Sequence, residues 1–335
     1  MQTADIKDIK TMWEDMESQN GISPFSTWVW NYDWLKYWKK TPYIYADDNG
    51  IAPFVIGRGG LRFIGYNNGD YLGFLIKEGR EAEFFDSLSD KLAGDRISFL
   101  DLGNVTQQFS GCEISGFDKR VFNGDICPYV ILPDDVDEYM SALNKRFRKN
   151  MEYYWRKINR DHNVVYDIVS RNEDIRPTMM KMIGLHQKRW HKRHLPGAFR
   201  SSRIINFHLD VSSDFFHRRY LDLHRLIIDG EIAAVLYCFH KGDSTYYYLG
   251  GFDDRYENMS IGNLITWMAI KTSIERGDTI FDFLRGNESY KQNFCTDEKM
   301  NRRLVFYKGN EGKIRTGMVE KQNRLVMAVK THYEV

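Results

Sequence analysis

Between residues 226 and 284 the hydrophobic pattern changes period twice, and this constrains the fold more than any other feature of the chain. Residues 226–228, 232–239 and 245–249 have strand composition and are joined by Asp229-Gly230 and by Lys241-Gly242-Asp243. Links that short pair neighbouring strands antiparallel. The period then turns helical, with Ile261, Leu264, Ile265, Met268 and Thr272 in one stripe, Ser260 placed as N-cap and Gly277 as C-cap. Residues 279–284 return to strand, with Asp282 inside an otherwise apolar run. This predicts a meander, a crossover helix and a strand laid beside its predecessor, followed by a short helix at 288–294 and a last strand at 304–307.

Upstream, residues 42–46, 52–56, 61–64, 97–102 and 128–132 read as strands and 81–92 as a helix. The cluster Gly57-Arg58-Gly59-Gly60 offers the backbone freedom of a phosphate loop, but no helical pattern follows it, so a hairpin turn is expected. Trp30, Trp34 and Trp38 recur every four residues beside Trp28, as a core-facing helical stripe would; a sugar-stacking platform is the sharper alternative. The acidic cluster Asp134, Asp135, Asp137 and Glu138 marks the predicted boundary between domains 1–136 and 137–335.

Lys+Arg number 47 and Asp+Glu 46, a net charge of +1, so the chain is not coated with one sign of charge. Any polyanion must be met locally, and two stretches supply the means. Residues 144–160 carry seven Lys/Arg against Glu152 alone, and residues 176–203 carry eight with no acid. Both a solvated helix face and a site for a phosphorylated ligand fit these stretches. In the second, Met179, Ile183, His186 and Trp190 share a helix face, so His186 reads either as a semi-buried structural histidine or as a base.

Cys112, Cys127, Cys238 and Cys295 form no C-x-x-C pair and no zinc spacing, so no metal is expected. The start, Met1-Gln2-Thr3-Ala4-Asp5-Ile6-Lys7, has no signal-peptide pattern, and the apolar run 232–239 is far short of the roughly 20 residues of a membrane helix. The expected location is cytoplasmic, with peripheral contact at the inner membrane face left open.

The start of the helix at Ser260-Ile261-Gly262 offers free N–H groups and the positive end of a helix dipole, a seat for a pyrophosphate. It is followed by Asp282-Phe283-Leu284-Arg285-Gly286-Asn287-Glu288-Ser289-Tyr290-Lys291. With Pro24-Phe25, Asp70-Tyr71, Leu185-His186-Gln187-Lys188-Arg189-Trp190 and Phe252-Asp253, these segments resemble, in order and spacing, the GNAT acyltransferase superfamily. Within it the nearest resemblance is to the cellulose-biosynthesis (CelD)-like acetyltransferases, relatives of the Fem-type peptidyl transferases.

The resemblance covers most of the chain and implies an α/β fold of tandem GNAT-like domains, each a mixed, mostly antiparallel sheet flanked by helices. It implies acyl-CoA, such as acetyl-CoA, as donor, held by Met259, Ser260, Ile261, Gly262 and Asn263, with Asn287 on the pantetheine arm. The acceptor it suggests is an amine or hydroxyl of a sugar or envelope precursor. Of the superfamily's phosphate loop only one glycine remains in Asn258-Met259-Ser260-Ile261-Gly262-Asn263, and Fem-type relatives use aminoacyl-tRNA, so tRNA stays open as donor. Tyr290 stands where the superfamily places the acid that protonates the departing thiolate. For the base the residues offer Asp282, Asp253 and His186, of which Asp282 also reads as a hydrogen-bonded anchor and His186 as a structural histidine. Cys295, without a histidine nearby in sequence, reads as packing.

Overall fold

The computed structural model describes residues 4–18, 21–57 and 59–333. In chain order its first elements are helices α1 (Lys10–Glu17) and α2 (Trp28–Trp38), strands β1 (Pro42–Asp47), β2 (Gly50–Gly57), β3 (Gly60–Phe63) and β4 (Leu75–Ile76), helix α3 (Glu81–Gly94), and strands β5 (Phe99–Val105) and β6 (Asp118–Ile131). Helices α4 (Val136–Ala142) and α5 (Lys145–Asp161), strand β7 (Val164–Ile168), and helices α6 (Asn172–Lys192) and α7 (Ser202–His217) follow. Strands β8 (Leu221–Ile228), β9 (Glu231–Lys241) and β10 (Ser244–Phe252), helix α8 (Ile261–Arg276), strands β11 (Ile280–Asp282) and β12 (Asp297–Tyr307), and helix α9 (Gly309–Tyr333) complete the chain.

These elements form two compact units, residues 1–127 together with 299–335, and residues 128–298. The boundary expected at 136/137 thus falls between Cys127 and Pro128, and the last 37 residues belong with the first unit. The acidic cluster does not separate units. It opens α4, where the Asp135 carboxylate caps the helix by accepting from the Asp137 and Glu138 amides.

In the first unit β1, β2 and β3 form an antiparallel meander, α3 crosses over, and β5 lies parallel to β3 through Leu61 and Leu100. β12 closes on β5 antiparallel. Gly57 pairs with Gly60, so the glycine cluster is a hairpin turn, as its lack of a following helix implied; Arg58 within it lies outside the described residues. Trp30 and Trp34 are fully buried on α2, and Trp38 stacks on Trp34 at 5.2 Å. The stripe is core, and two of its three rings are closed to any sugar.

The second unit repeats this order. β8, β9 and β10 form an antiparallel meander, α8 crosses over, β11 lies parallel to β10, and residues 129–131 of β6 pair antiparallel with β11. Asp229 and Gly230 both have positive φ, the type I′ geometry whose twist suits a two-residue hairpin, and Gly242 opens the next turn at φ 67°. β7, which the sequence reading missed, adds an edge strand beside β8. α4, α5 and α8 pack on one face around Phe147, Met151, Leu264 and Ile265. α6 and α7 cover the other, with Met182 against Gly251 and His208 against Tyr248. The fold is mixed α/β with a mostly antiparallel sheet flanked by helices.

The basic stretch 144–160 forms α5, which the Asn144 side chain caps by accepting from the Arg146 and Phe147 amides. The helix predicted at 288–294 is instead a single 3-10 turn, Lys291–Asn293. Among the described residues no helix is long and apolar enough to cross a membrane.

Candidate active site

β10 and β11 run side by side for only three pairs, Ser244 with Ile280 to Tyr246 with Asp282. β11 then ends, while β10 continues to Phe252 and is irregular between Tyr247 and Leu249. Such a bulge bends and twists a strand. Past Tyr246 the two strands part, and the backbone edge of β10 there has no β11 partner.

The far end of β10 leads through a 3-10 turn, Asp254–Met259, into α8. Ser260 holds the N-cap position at φ 51°, but its hydroxyl caps nothing, and the first turn of α8 carries no acid. The expected N-cap is thus a backbone corner. Its left-handed conformation turns the chain into α8, whose first turn has a helix dipole and no carboxylate of its own to cancel it. Ser260 O accepts from the Asn263 and Leu264 amides, so those of Ile261 and Gly262 come before the helical ladder. Met259 is buried beneath them. A methyl built on Gly262 would rest 3.4 Å from the Phe252 ring, ordinary contact, so crowding does not demand the glycine. Arg276 anchors the other end of α8 by donating to Asp222, Asp278 and Thr245, each at 2.7 Å.

Tyr290 reaches the parted strands from the loop after β11. Leu284 and Gly286, both at positive φ, turn that loop, and Lys291, 3% exposed, donates to the carbonyls of Arg285 and Gly286 at 3.0 and 3.1 Å while pairing with Glu288. The Lys291 ammonium is a clamp on the loop. The Tyr290 hydroxyl is hydrogen-bonded to that of Tyr247, and burial pushes both phenols well above their ordinary range. Tyr247 lies over Gly250, and Gly250 stands beside Phe252, which touches α8 at Gly262. Tyr290 is therefore linked through three neighbours to the first turn of that helix. Asn287 sits on the same loop, its side-chain oxygen taken by Gln292 at 2.7 Å.

The three candidate bases have other occupations. His186 Nδ1 meets Gly250 O at 2.9 Å and its Nε2 lies 3.2 Å from the Ala198 amide, so the neutral ring donates at one nitrogen and accepts at the other. Burial lowers its pKa further. Asp253 accepts from the Arg255 amide and guanidinium at 2.8 to 3.0 Å, and that guanidinium holds its carboxyl below the usual range. Asp282 is fully buried and accepts from the Leu284 amide at 2.7 Å, fixing the turn out of β11. All three side chains are held by hydrogen bonds to the chain around them. Cys295 lies 3.5 Å from the Gln292 side-chain oxygen, and burial raises its thiol pKa, so it has no thiolate character.

Sequence reasoning missed Tyr247 and Arg189. The exposed Arg189 guanidinium stands 5.5 Å from the Phe252 ring and acts electrostatically on both Tyr247 and Tyr290. No local pattern marks Tyr247, because Tyr246, Tyr247 and Tyr248 are consecutive and only the bulge decides which one faces α8.

Residues 145–292 match the family model described as Acetyltransferase (GNAT) domain. Over this stretch, less than half of its length, the chain is similar to that family. No curated protein matches the sequence. Among solved structures the chain is similar to FemX, at TM-score 0.64 and 10% identity over 94% of this chain and 98% of that one. It is also similar to a conserved protein of unknown function from Bacteroides thetaiotaomicron, at TM-score 0.63 and 9% identity over 92% and 99%. The L-PGS of Bacillus licheniformis follows at TM-score 0.58 and 10% identity over 90% and 92%. At such identities these likenesses are likenesses of fold.

Proposed function

We propose that residues 128–298 move an acyl group from acyl-CoA directly onto an amine or hydroxyl acceptor. The observation that carries this reading is the parting of β10 from β11 beside an uncapped, acid-free helix start, with the Tyr290 hydroxyl a few residues away. In this reading the amides from Met259 to Asn263 seat the donor's pyrophosphate and Asn287 meets its pantetheine arm. The acceptor attacks the thioester carbonyl, the carbon–sulfur bond breaks, and Tyr290 gives its proton to the sulfur. Because burial keeps Tyr290 protonated, its acid form is present across the physiological range. The anchored Asp282, Asp253 and His186 leave the acceptor to lose its proton to solvent. The resemblance to the CelD-like family supports a sugar or envelope precursor as acceptor, handled in the cytoplasm or at the inner membrane face. The first unit, which repeats the strand order, is in this reading a second GNAT-like module. Calorimetry with acetyl-CoA, joined to an assay of thiol release with amino sugars, tests the proposal; absence of binding at millimolar donor would overturn it.

A second reading, aminoacyl-tRNA as donor, is favoured by one observation. Lys145, Arg146 and Lys149 cluster with Asn144 and Asn150 on an open surface at the start of α5. Binding of tRNA there would weaken steeply with salt as neutralised phosphates release counterions. No association at low ionic strength rejects it.

A further inference from the structure

The bulge in β10 sorts its side chains. In a regular strand residues 247 and 250 would face opposite ways. Here Tyr247, Gly250 and Phe252 come together on the α8 side, while Tyr248 packs on His208 and Gly251 on Met182 on the other. Tyr247 folds back over Gly250 so closely that a Cβ at 250 would lie 2.6 Å from the Tyr247 hydroxyl. The Phe283 ring touches both tyrosines, with centroids 6.1 Å from Tyr247 and 6.4 Å from Tyr290. Phe283 thus packs against both rings, and their hydroxyls interact. The charged and titratable groups acting on the pair are Arg189 from α6, Glu288 from the loop and Cys238 from β9.

We infer that Tyr247 is a positioning residue for acyl transfer, holding the Tyr290 hydroxyl at the parted strands and donating a hydrogen bond to the oxygen that Tyr290 leaves bare when it protonates the leaving group. The inference rests on the acyl-transfer reading above. The balance is simple. The carbon–sulfur bond breaks, the sulfur takes the Tyr290 proton, and the phenolate accepts from the Tyr247 O–H in the field of Arg189. Tyr290 then takes back from solvent a proton equivalent to the one the acceptor released. A phenolate on a half-buried ring without that partner is costly, which is why an acid placed there gains from a second hydroxyl beside it.

The test is a double-mutant cycle with Tyr247→Phe and Tyr290→Phe, reading kcat and donor KM separately. Tyr247→Phe is expected to lower kcat about tenfold to a hundredfold, the range of one hydrogen bond to a charged group, with donor KM and melting temperature unchanged. In the Tyr290→Phe background it should have no further effect, because Tyr247 acts only through Tyr290. Gly250→Ala keeps both hydroxyls but displaces one, and should also lower kcat, by a smaller factor. A second readout uses tyrosine labelled with 13C at Cζ: the Tyr290 signal should move in Tyr247→Phe and in Gly250→Ala. Full activity of Tyr247→Phe, or losses that add in the double variant, overturns the inference while leaving acyl transfer standing. A wild-type protein that binds no donor and releases no thiol overturns the underlying reading instead, and the inference with it.

Discussion

The two units share one strand order and differ at the edge where that order could open. In the second unit β10 and β11 part, and among the described residues no strand is laced between them. In the first unit the corresponding separation, beyond β3, is stitched shut: the Leu72 amide donates to Asn104 O at 2.8 Å, the Thr106 amide donates to Leu72 O at 3.2 Å, and Leu72 bridges Val105. The helix starts differ in the same sense. α3 opens with Glu81 and Glu83, which complement its dipole and repel an anion, whereas α8 opens with Ile261, Gly262 and Asn263 and no acid. One unit has used its edge and its helix dipole internally, and the other has kept both available.

The comparison can be broken in four ways. Tyr290→Phe should lower turnover by about 10²–10⁴ with donor affinity retained, the usual worth of a placed acid; steady-state kinetics with acetyl-CoA and an active acceptor would show it, and normal turnover would remove the acid role. Leu72→Ala, at a residue 3% exposed, should cost about 2–5 kcal/mol in denaturant unfolding and leave donor affinity of the folded protein untouched.

Acid sensitivity should belong to the second unit, which holds eight of the nine histidines. Burial holds His208 and His224 neutral, with pKa values of about 3 and about 4, against about 6.5 in the unfolded chain. Below pH 6.5 the unfolded chain therefore binds more protons and stability falls, by about 2 kcal/mol for each ring by pH 5. Melting from pH 7 to 5 should show the fall, and His224→Phe should remove about half of it. A flat profile in the wild type would refute the assignment. The smallest effect is electrostatic. Asn263→Glu, which gives α8 the character of α3, should weaken acetyl-CoA binding about tenfold or less, and Glu81→Gln should change it not at all.

The second unit was readable where local chemistry decides structure. The Asp229-Gly230 turn, the stripe and Gly277 cap of α8 and the amphipathic α5 all stand within a few residues of where sequence pattern puts them. α7 was missed because the sequence reading took residues 176–203 as one basic stretch and gave no element to 202–217, although Ser201 caps the helix by accepting from the Ile204 amide. β7 was missed because Val164–Ile168 has no tight turn joining it to β8. Placing the unit boundary failed for a different reason: β12 pairs with β5, about two hundred residues away, and no local pattern reports so distant a partner. In the site, Tyr290 and the start of α8 were legible as motifs. The hydrogen bonds that His186, Asp253 and Asp282 make to Ala198, Arg255 and Leu284 were not, since these are questions of geometry, and composition holds none.

The way the first unit is built also bears on how the protein is made. Its sheet closes on β5 only through β12, which lies beyond the whole of residues 128–298. A ribosome therefore finishes the second unit as one uninterrupted piece before the first has its closing strand, and domains fold largely as units while synthesis proceeds. The interval leaves β5 with an unfilled edge, the kind of exposed strand that invites wrong pairing. Slowing translation past residue 298 should therefore harm the yield of the first unit more than that of the second.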